Sequence, residues 1–202
     1  YEESYDSLVI STGSSPVRPP IPGIDSPRIQ TLWTVPDTDR IRKMVQQENV
    51  KTAAVIGGGF IGLEMAENLR HAGLEVSLIE AAEQVMAPLD FEMAQLLHEH
   101  LVQNGVHLYL KNGVSSFVDN GNGVDVHLNS GEIIKVDLVI LSIGVRPNGE
   151  LAKEAGLAVN ERGGIVVDEY LRASQPDIYA VGDVIEVEDF VLKSPTMIPL
   201  AG

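Results

Sequence analysis

Thr52-Ala53-Ala54-Val55-Ile56-Gly57-Gly58-Gly59-Phe60-Ile61-Gly62 is the stretch on which the fold turns. Its first five residues form a continuous, β-branched run, the pattern of a strand buried on both faces. Three glycines end the run. Ile61, Met65, Ala66, Leu69 and Ala72 then recur at helical spacing, which predicts a helix with those residues on its inner face and Gly73 just past its end. The glycines satisfy G-x-G-x-x-G in the strand-turn-helix context that gives this pattern its meaning. Gly57 permits the tight turn, Gly59 lets the backbone approach a pyrophosphate, and Gly62 allows close packing of helix on strand. The free N–H groups of the first turn, at Phe60 and Ile61, and the positive helix end then face the phosphates.

A second strand, Glu75–Ile79, ends at Glu80, 18 residues beyond Gly62. A carboxylate there accepts hydrogen bonds from an adenosine ribose. It also repels a 2′-phosphate, and Ala81-Ala82-Glu83-Gln84 brings no cation to bind one, so NADH is expected over NADPH. Asp90 is expected to cap the next helix, with Met93, Leu97, Leu101 and Val102 on its buried side and Gly105 at its end. Residues 106–110 give a third strand. This β-α-β-α-β order implies a parallel sheet with right-handed crossovers, an α/β, Rossmann-like class.

Working outward, an apolar run at 7–11 leads through Ser11-Thr12-Gly13 into a connector carrying Pro16, Pro19, Pro20, Pro22 and Pro27. A helix is expected over 37–47, capped by Asp37, with Ile41, Met44 and Val45 buried. Downstream, short alternating runs at 114–118, 123–128 and 132–135 are separated by Asn-Gly and Ser-Gly turns and read as an antiparallel meander. Residues 137–142 return as one more buried strand. Asp6, Ser11, Gly13 and Pro16 recur 131 residues later as Asp137, Ser142, Gly144 and Pro147, each set enclosing an apolar run. A duplicated architecture of two nucleotide-binding domains is one explanation. Chance likeness of two buried strands is the other.

Composition narrows the class. With 14 Lys+Arg against 29 Asp+Glu the net charge is −15, which argues against nucleic acid or an anionic membrane surface as a partner. Cysteine is absent, which removes disulfides, thiolate metal sites and cysteine redox chemistry from this stretch. No apolar run approaches the roughly 20 residues that span a bilayer, and no signal peptide opens the chain. A cytoplasmic protein is expected. His98, His100 and His107 form no metal-like set, and no Ser/His/Asp set or Tyr/Lys pair suggests independent catalysis, so no metal and no catalytic residue is assigned. The start at Tyr1 and the unfinished end read as a segment of a longer protein.

Four motifs in order now carry a resemblance: Ser11-Thr12-Gly13, the glycine fingerprint running on to Glu64, Gly144-Val145-Arg146-Pro147-Asn148, and Tyr179-Ala180-Val181-Gly182-Asp183. Over nearly its whole length the chain resembles the FAD-dependent pyridine nucleotide-disulfide oxidoreductases. Within them it is similar to the branch of CoA-disulfide reductases, NADH oxidases and persulfide reductases. The closing Ile198-Pro199-Leu200-Ala201-Gly202 is similar to the CoA-disulfide reductases. The resemblance implies an NAD(H)-binding domain over 33–148, inserted between two partial FAD-domain flanks, 1–32 and 149–202, which accounts for the repeat.

It further implies that Gly144 borders the NAD site and that Glu64 sits near the nicotinamide. An acid near a helix start is favourable in any case, so Glu64 has a structural explanation too. Thr12 and Gly13 would lie near the flavin nucleotide, and Asp183 would bond the ribityl chain of FAD; a turn-capping role is the alternative for Asp183. The family's amino-terminal FAD fingerprint, redox cysteine and carboxy-terminal dimerisation domain have no match here. As part of a longer flavoprotein, expected to be a homodimer, the segment would help NADH pass a hydride to FAD for reduction of a small disulfide, a persulfide or oxygen. A self-sufficient dehydrogenase would need a substrate domain for which this chain has no room. A stand-alone NAD-sensing or interaction module, the remaining alternative, has no use for the paired Gly13 and Gly144 exits or the Gly182-Asp183 turn.

Overall fold

In the computed structural model, which describes residues 2–197, the chain begins with β1 (Leu8–Ile10), β2 (Ser14–Pro16), β3 (Ile29–Gln30) and α1 (Val35–Val45). The glycine fingerprint lies between β4 (Thr52–Ile56) and α2 (Phe60–His71), followed by β5 (Glu75–Ile79), α3 (Phe91–Gln103) and β6 (Val106–Tyr109). Then come β7 (Val114–Asp119), β8 (Val124–Leu128), β9 (Ile133–Val136), β10 (Leu138–Leu141), β11 (Val145–Pro147) and α4 (Glu150–Glu154). β12 (Ile165–Val166), β13 (Ile178–Ala180), a 3-10 turn at Gly182–Val184, β14 (Ile185–Glu188) and β15 (Pro195–Thr196) follow. The Ile198-Pro199-Leu200-Ala201-Gly202 motif lies outside the described residues. Among the described residues no helix is long and apolar enough to cross a membrane.

The chain divides into a central unit, Pro16–Gly144, and a flanking unit made from the residues on either side. The central unit holds a parallel sheet in the order β3-β10-β4-β5-β6, as the β-α-β-α-β reading requires. Its strands alternate between two cores. Ala53, Val55, Leu138 and Ile140 pack with Met65, Ala66 and Leu69 under the helices. Ala54, Ile56, Val139 and Leu141 pack with Phe117, Val124, Val126 and Leu128 of the antiparallel β7-β8-β9 sheet. Successive side chains of a strand point to opposite faces, so a run apolar at every position needs a cover on both. The central unit begins ahead of residue 33 because Ile21 and Ile24 of the Pro-rich connector, and Ile29 of β3, pack into this second core.

Three helices differ in detail from the sequence expectation. α1 starts at Val35, not 37: Thr34 is the cap, and Asp37 closes a capping box by bonding back to the Thr34 amide. Of its expected stripe, Ile41 is buried but Met44 and Val45 only partly so. In α2 it is Gly62, not Ile61, that turns toward the sheet, so the buried stripe is Gly62, Met65, Ala66 and Leu69 while Ile61 and Ala72 are exposed. In α3 only Ala94 is fully buried. Leu97 and Leu101 flank it half-buried, leaving Met93 and Val102 exposed on the two sides. Asp90 stands at the cap position of α3 but makes no side-chain capping bond.

In the flanking unit β1 pairs in parallel with β13, β2 pairs with β11, and β12-β14-β15 form a small sheet. Ile10, Ala152, Leu157, Ile165, Ala180 and Val184 make its core.

Candidate functional site

Within the central unit a pocket of about 560 Å³ opens at the carboxyl ends of β4, β5 and β10. That edge is where ligands bind in open parallel sheets. The glycine loop forms its floor. Gly57 takes φ +105, and a Cβ there would strike the Ser142 carbonyl, so only glycine fits. A Cβ on Gly62 would strike the Gly57 carbonyl. One on Gly58 would lie 2.8 Å from Val85 Cγ1. Gly59 differs from all three: no protein atom lies within 4 Å of its Cβ position, and its φ of −80° is open to any residue. The chain's own packing does not call for glycine at 59; the space beside it is left clear on the pocket side of the loop. Gly59 also caps α2, whose first turn carries no acidic residue to neutralise its positive end.

Glu80 is braced against this loop. Its Oε2 accepts from the Gly58 amide (2.7 Å) and its Oε1 from the Ala82 amide (2.8 Å). Each carboxylate oxygen keeps a second lone pair for donors from the pocket. The loop after β5 is tied to the same place, since the Met86 amide donates to the Gly58 carbonyl (2.8 Å). The Val85 amide donates to His98 Nε2 (3.1 Å). Burial pushes the His98 imidazole below its ordinary pKa, which favours the neutral ring this acceptor role demands. Across the pocket, Ser142 Oγ donates to the carbonyls of Ile56 (2.9 Å) and Gly57 (3.2 Å), and Gly144 (φ +104) completes the rim.

Gly57, Gly59, Glu80 and Gly144 are thus brought to one pocket, with Phe60, Ile61 and Gly62 opening α2 beside it. Glu64 is elsewhere. It lies exposed beyond the first turn of α2, lining a groove with Glu67, His71, Leu97 and His100. In the flanking unit, Thr12-Gly13 and Gly182-Asp183 meet at the carboxyl ends of the β1–β13 pair, where the Val181 amide donates to the Ile10 carbonyl (3.0 Å). Buried Ser14 donates to Asp183 Oδ2 (2.8 Å), and Thr12 Oγ1 donates to the Asn148 carbonyl (2.7 Å).

Sequence reasoning missed Ile21, Gly113, Val114, Asn129 and Ile143, all of which line the central pocket. Ile143 was within reach, since it precedes Gly144 in the repeat. The others come from a connector and from loops with no motif of their own.

Fold and site together define an α/β protein of the FAD/NAD oxidoreductase fold. The chain belongs to the pyridine nucleotide-disulphide oxidoreductase family, which matches residues 1–200. An NADH oxidase of Methanocaldococcus jannaschii is 39% identical over 98% of this chain and 44% of its own length. The reduced CoADR-RHD of Bacillus anthracis is 50% identical with a TM-score of 0.93, over 99% of this chain and 36% of that one. An NAD-dependent persulfide reductase from A. fulgidus is 40% identical with a TM-score of 0.92, over 97% and 36%. The chain therefore spans less than half the length of these relatives.

Proposed function

We propose that the central unit binds NADH and that the flanking unit contributes part of an FAD site in a longer oxidoreductase. One observation carries the NADH reading: Glu80 is fixed through both oxygens to the glycine loop and its neighbour, holding a carboxylate at a set distance from a phosphate cradle. The residues fit the group. Gly59 leaves clear the space a pyrophosphate needs, the first-turn amides of Phe60 and Ile61 supply donors, and Glu80 keeps lone pairs for the ribose hydroxyls. Gly144 bounds the pocket opposite the loop. In the flanking unit Thr12, Gly13 and Asp183 would approach FAD; Ser14 holds one Asp183 oxygen and so orients the carboxylate.

When bound, NADH supplies a hydride that FAD accepts, for reduction of a disulfide, a persulfide or oxygen. The chain's own residues bind and orient. The names of the related proteins support this reading, and the absence of cysteine from the chain means that any thiol chemistry resides outside it.

Calorimetric titration with both nucleotides tests the assignment. NADH is expected to bind more tightly than NADPH, because Glu80 repels a 2′-phosphate. Glu80→Ala should weaken NADH binding by about 1–3 kcal/mol, the scale of a hydrogen bond to a charged group. Equal or tighter binding of NADPH by the unaltered chain overturns the reading.

A further inference from the structure

We infer that Asn129 reads the adenine base of the bound nucleotide, at a base subsite built by residues outside the strand-turn-helix core. The inference rests on the NADH assignment above and extends it. The glycine loop marks the pyrophosphate and Glu80 the ribose. Past Glu80 and Ala81 the same pocket continues to Ile21, Gly113, Val114 and Asn129.

These segments are stitched to the ribose end by backbone bonds. The Asn112 amide donates to the Glu80 carbonyl (3.1 Å), Lys111 to Ala82 (2.8 Å), and Asn129 to Gly113 (2.8 Å). Ile21 and Val114 are half-buried, seated on the second core while still lining the pocket, and so offer apolar walls to a flat ring. Gly113 keeps the space beside Asn129 and Ala81 clear: a Cβ there would lie 3.0 Å from the Asn129 amide nitrogen and 3.5 Å from Ala81 Cβ.

Two asparagines stand at this end and differ in what they do. Asn112 spends both ends of its amide on Ser130, donating to Oγ (3.0 Å) and accepting from the backbone N–H (3.1 Å), which fixes the turn. Asn129 is exposed and lines the pocket; among the described residues its side chain makes no hydrogen bond to the protein, so both ends of its amide are open to a ligand as they are to water. A free amide presents a carbonyl acceptor beside an NH2 donor in one plane. Adenine presents the complement on its N6/N7 edge, an amino donor beside the N7 acceptor. On that edge hypoxanthine presents two acceptors, O6 and N7, so the amide carbonyl faces an acceptor whichever way the amide is turned.

The experiment titrates the full chain with NADH and with reduced nicotinamide hypoxanthine dinucleotide, which differ only in the C6 substituent and the proton on N1. The unaltered chain should favour NADH by about tenfold, the lower end of the discrimination that such a pair provides. Asn129→Leu, of similar size but unable to hydrogen-bond, should bring the ratio to about one while circular dichroism stays unchanged. Equal affinities in the unaltered chain, or an unchanged ratio in Asn129→Leu, overturn the base assignment alone and leave the NADH reading standing. Failure of NADH to bind at all overturns both. If Asn129→Leu misfolds, Asn129→Ala takes its place at this exposed position and is held to the same ratio of about one.

Discussion

Two strand exits of one pattern lie 131 residues apart and have different surroundings. In the central unit β10 leads through Ser142 to Gly144 (φ +104) and into β11. In the flanking unit β1 leads through Ser11 to Gly13 (φ +67) and into β2. Leu138, Val139 and Ile140 are fully buried, whereas Leu8 and Val9 are 36% and 59% exposed. Ser142 is bonded to two carbonyls of the glycine loop region, and Asp137 Oδ2 accepts from the Lys51 amide (2.8 Å), the Thr52 amide (2.9 Å) and Thr52 Oγ1 (2.9 Å). Asp6 is exposed. The local pattern therefore sets the backbone, while the packed neighbours decide whether an exit becomes the wall of a pocket.

The comparison breaks most sharply at Gly59. A valine there should cost NADH binding about 3 kcal/mol or more, roughly a hundredfold, by occupying the cleared space. The thermal melt should move by no more than about 1 kcal/mol, because no protein atom is near and the cost is that of a cap. Normal NADH binding by a folded variant would make the loop a mere turn and the two exits equivalent.

The paired aspartates give the next largest difference. Asp137→Ala should cost about 2 kcal/mol in urea denaturation, and Asp6→Ala should stay within about 0.5 kcal/mol. Partial burial pushes the Asp137 carboxyl up, but the bonds from Lys51 and Thr52 outweigh it and hold its pKa below the usual carboxylate value. Its stabilisation is therefore complete above the ordinary unfolded carboxylate pKa and is lost as pH falls through the depressed folded value. Acid titration of stability should show a smaller loss in Asp137→Ala than in the unaltered chain, the remainder coming from other aspartates with lowered pKa values such as Asp37. Equal losses at Asp6 and Asp137 would make the anchoring incidental.

The smallest effect sharpens the comparison at the glycines themselves. Gly13→Ala should cost about 1 kcal/mol, since φ +67 lies in the left-handed well and no atom is near. Gly144→Ala should cost more, because φ +104 lies outside that well. Thermal melts of the two variants measure the order, and the reverse order would contradict it.

How much was legible follows from the range of the interactions. The parallel sheet could be read because β4 and β10 are apolar at nearly every consecutive position and β5 is broken only by Ser77 after its first residue, a purely local signal. The floor of the pocket could be read for the same reason: Gly57 to Gly62 and Glu80 are strand ends and turns. Helix faces were less legible. Ile61 and Val102 are apolar yet exposed, and spacing alone does not reveal that Gly62 or Ala94 takes the place nearest the sheet. The distal wall was not legible at all. Ile21, in a connector, and Asn129, in a β-turn, come to one pocket through tertiary packing, and nothing in either stretch names the other. Glu64 had no local signal of its own beyond its place near a helix start, and it lies exposed in a groove between α2 and α3.

The two ends of the central unit are hydrogen-bonded neighbours: the Val17 amide donates to the Gly144 carbonyl at 3.0 Å. A module whose first and last residues touch can be grafted into a surface loop of a host protein without stretching either partner, and the host's loop closure costs little more than that of a short turn. The same adjacency permits circular permutation, with Pro16 and Gly144 joined by a few residues and new termini opened at an exposed turn such as Asn120-Gly121. The cassette is transplantable by construction.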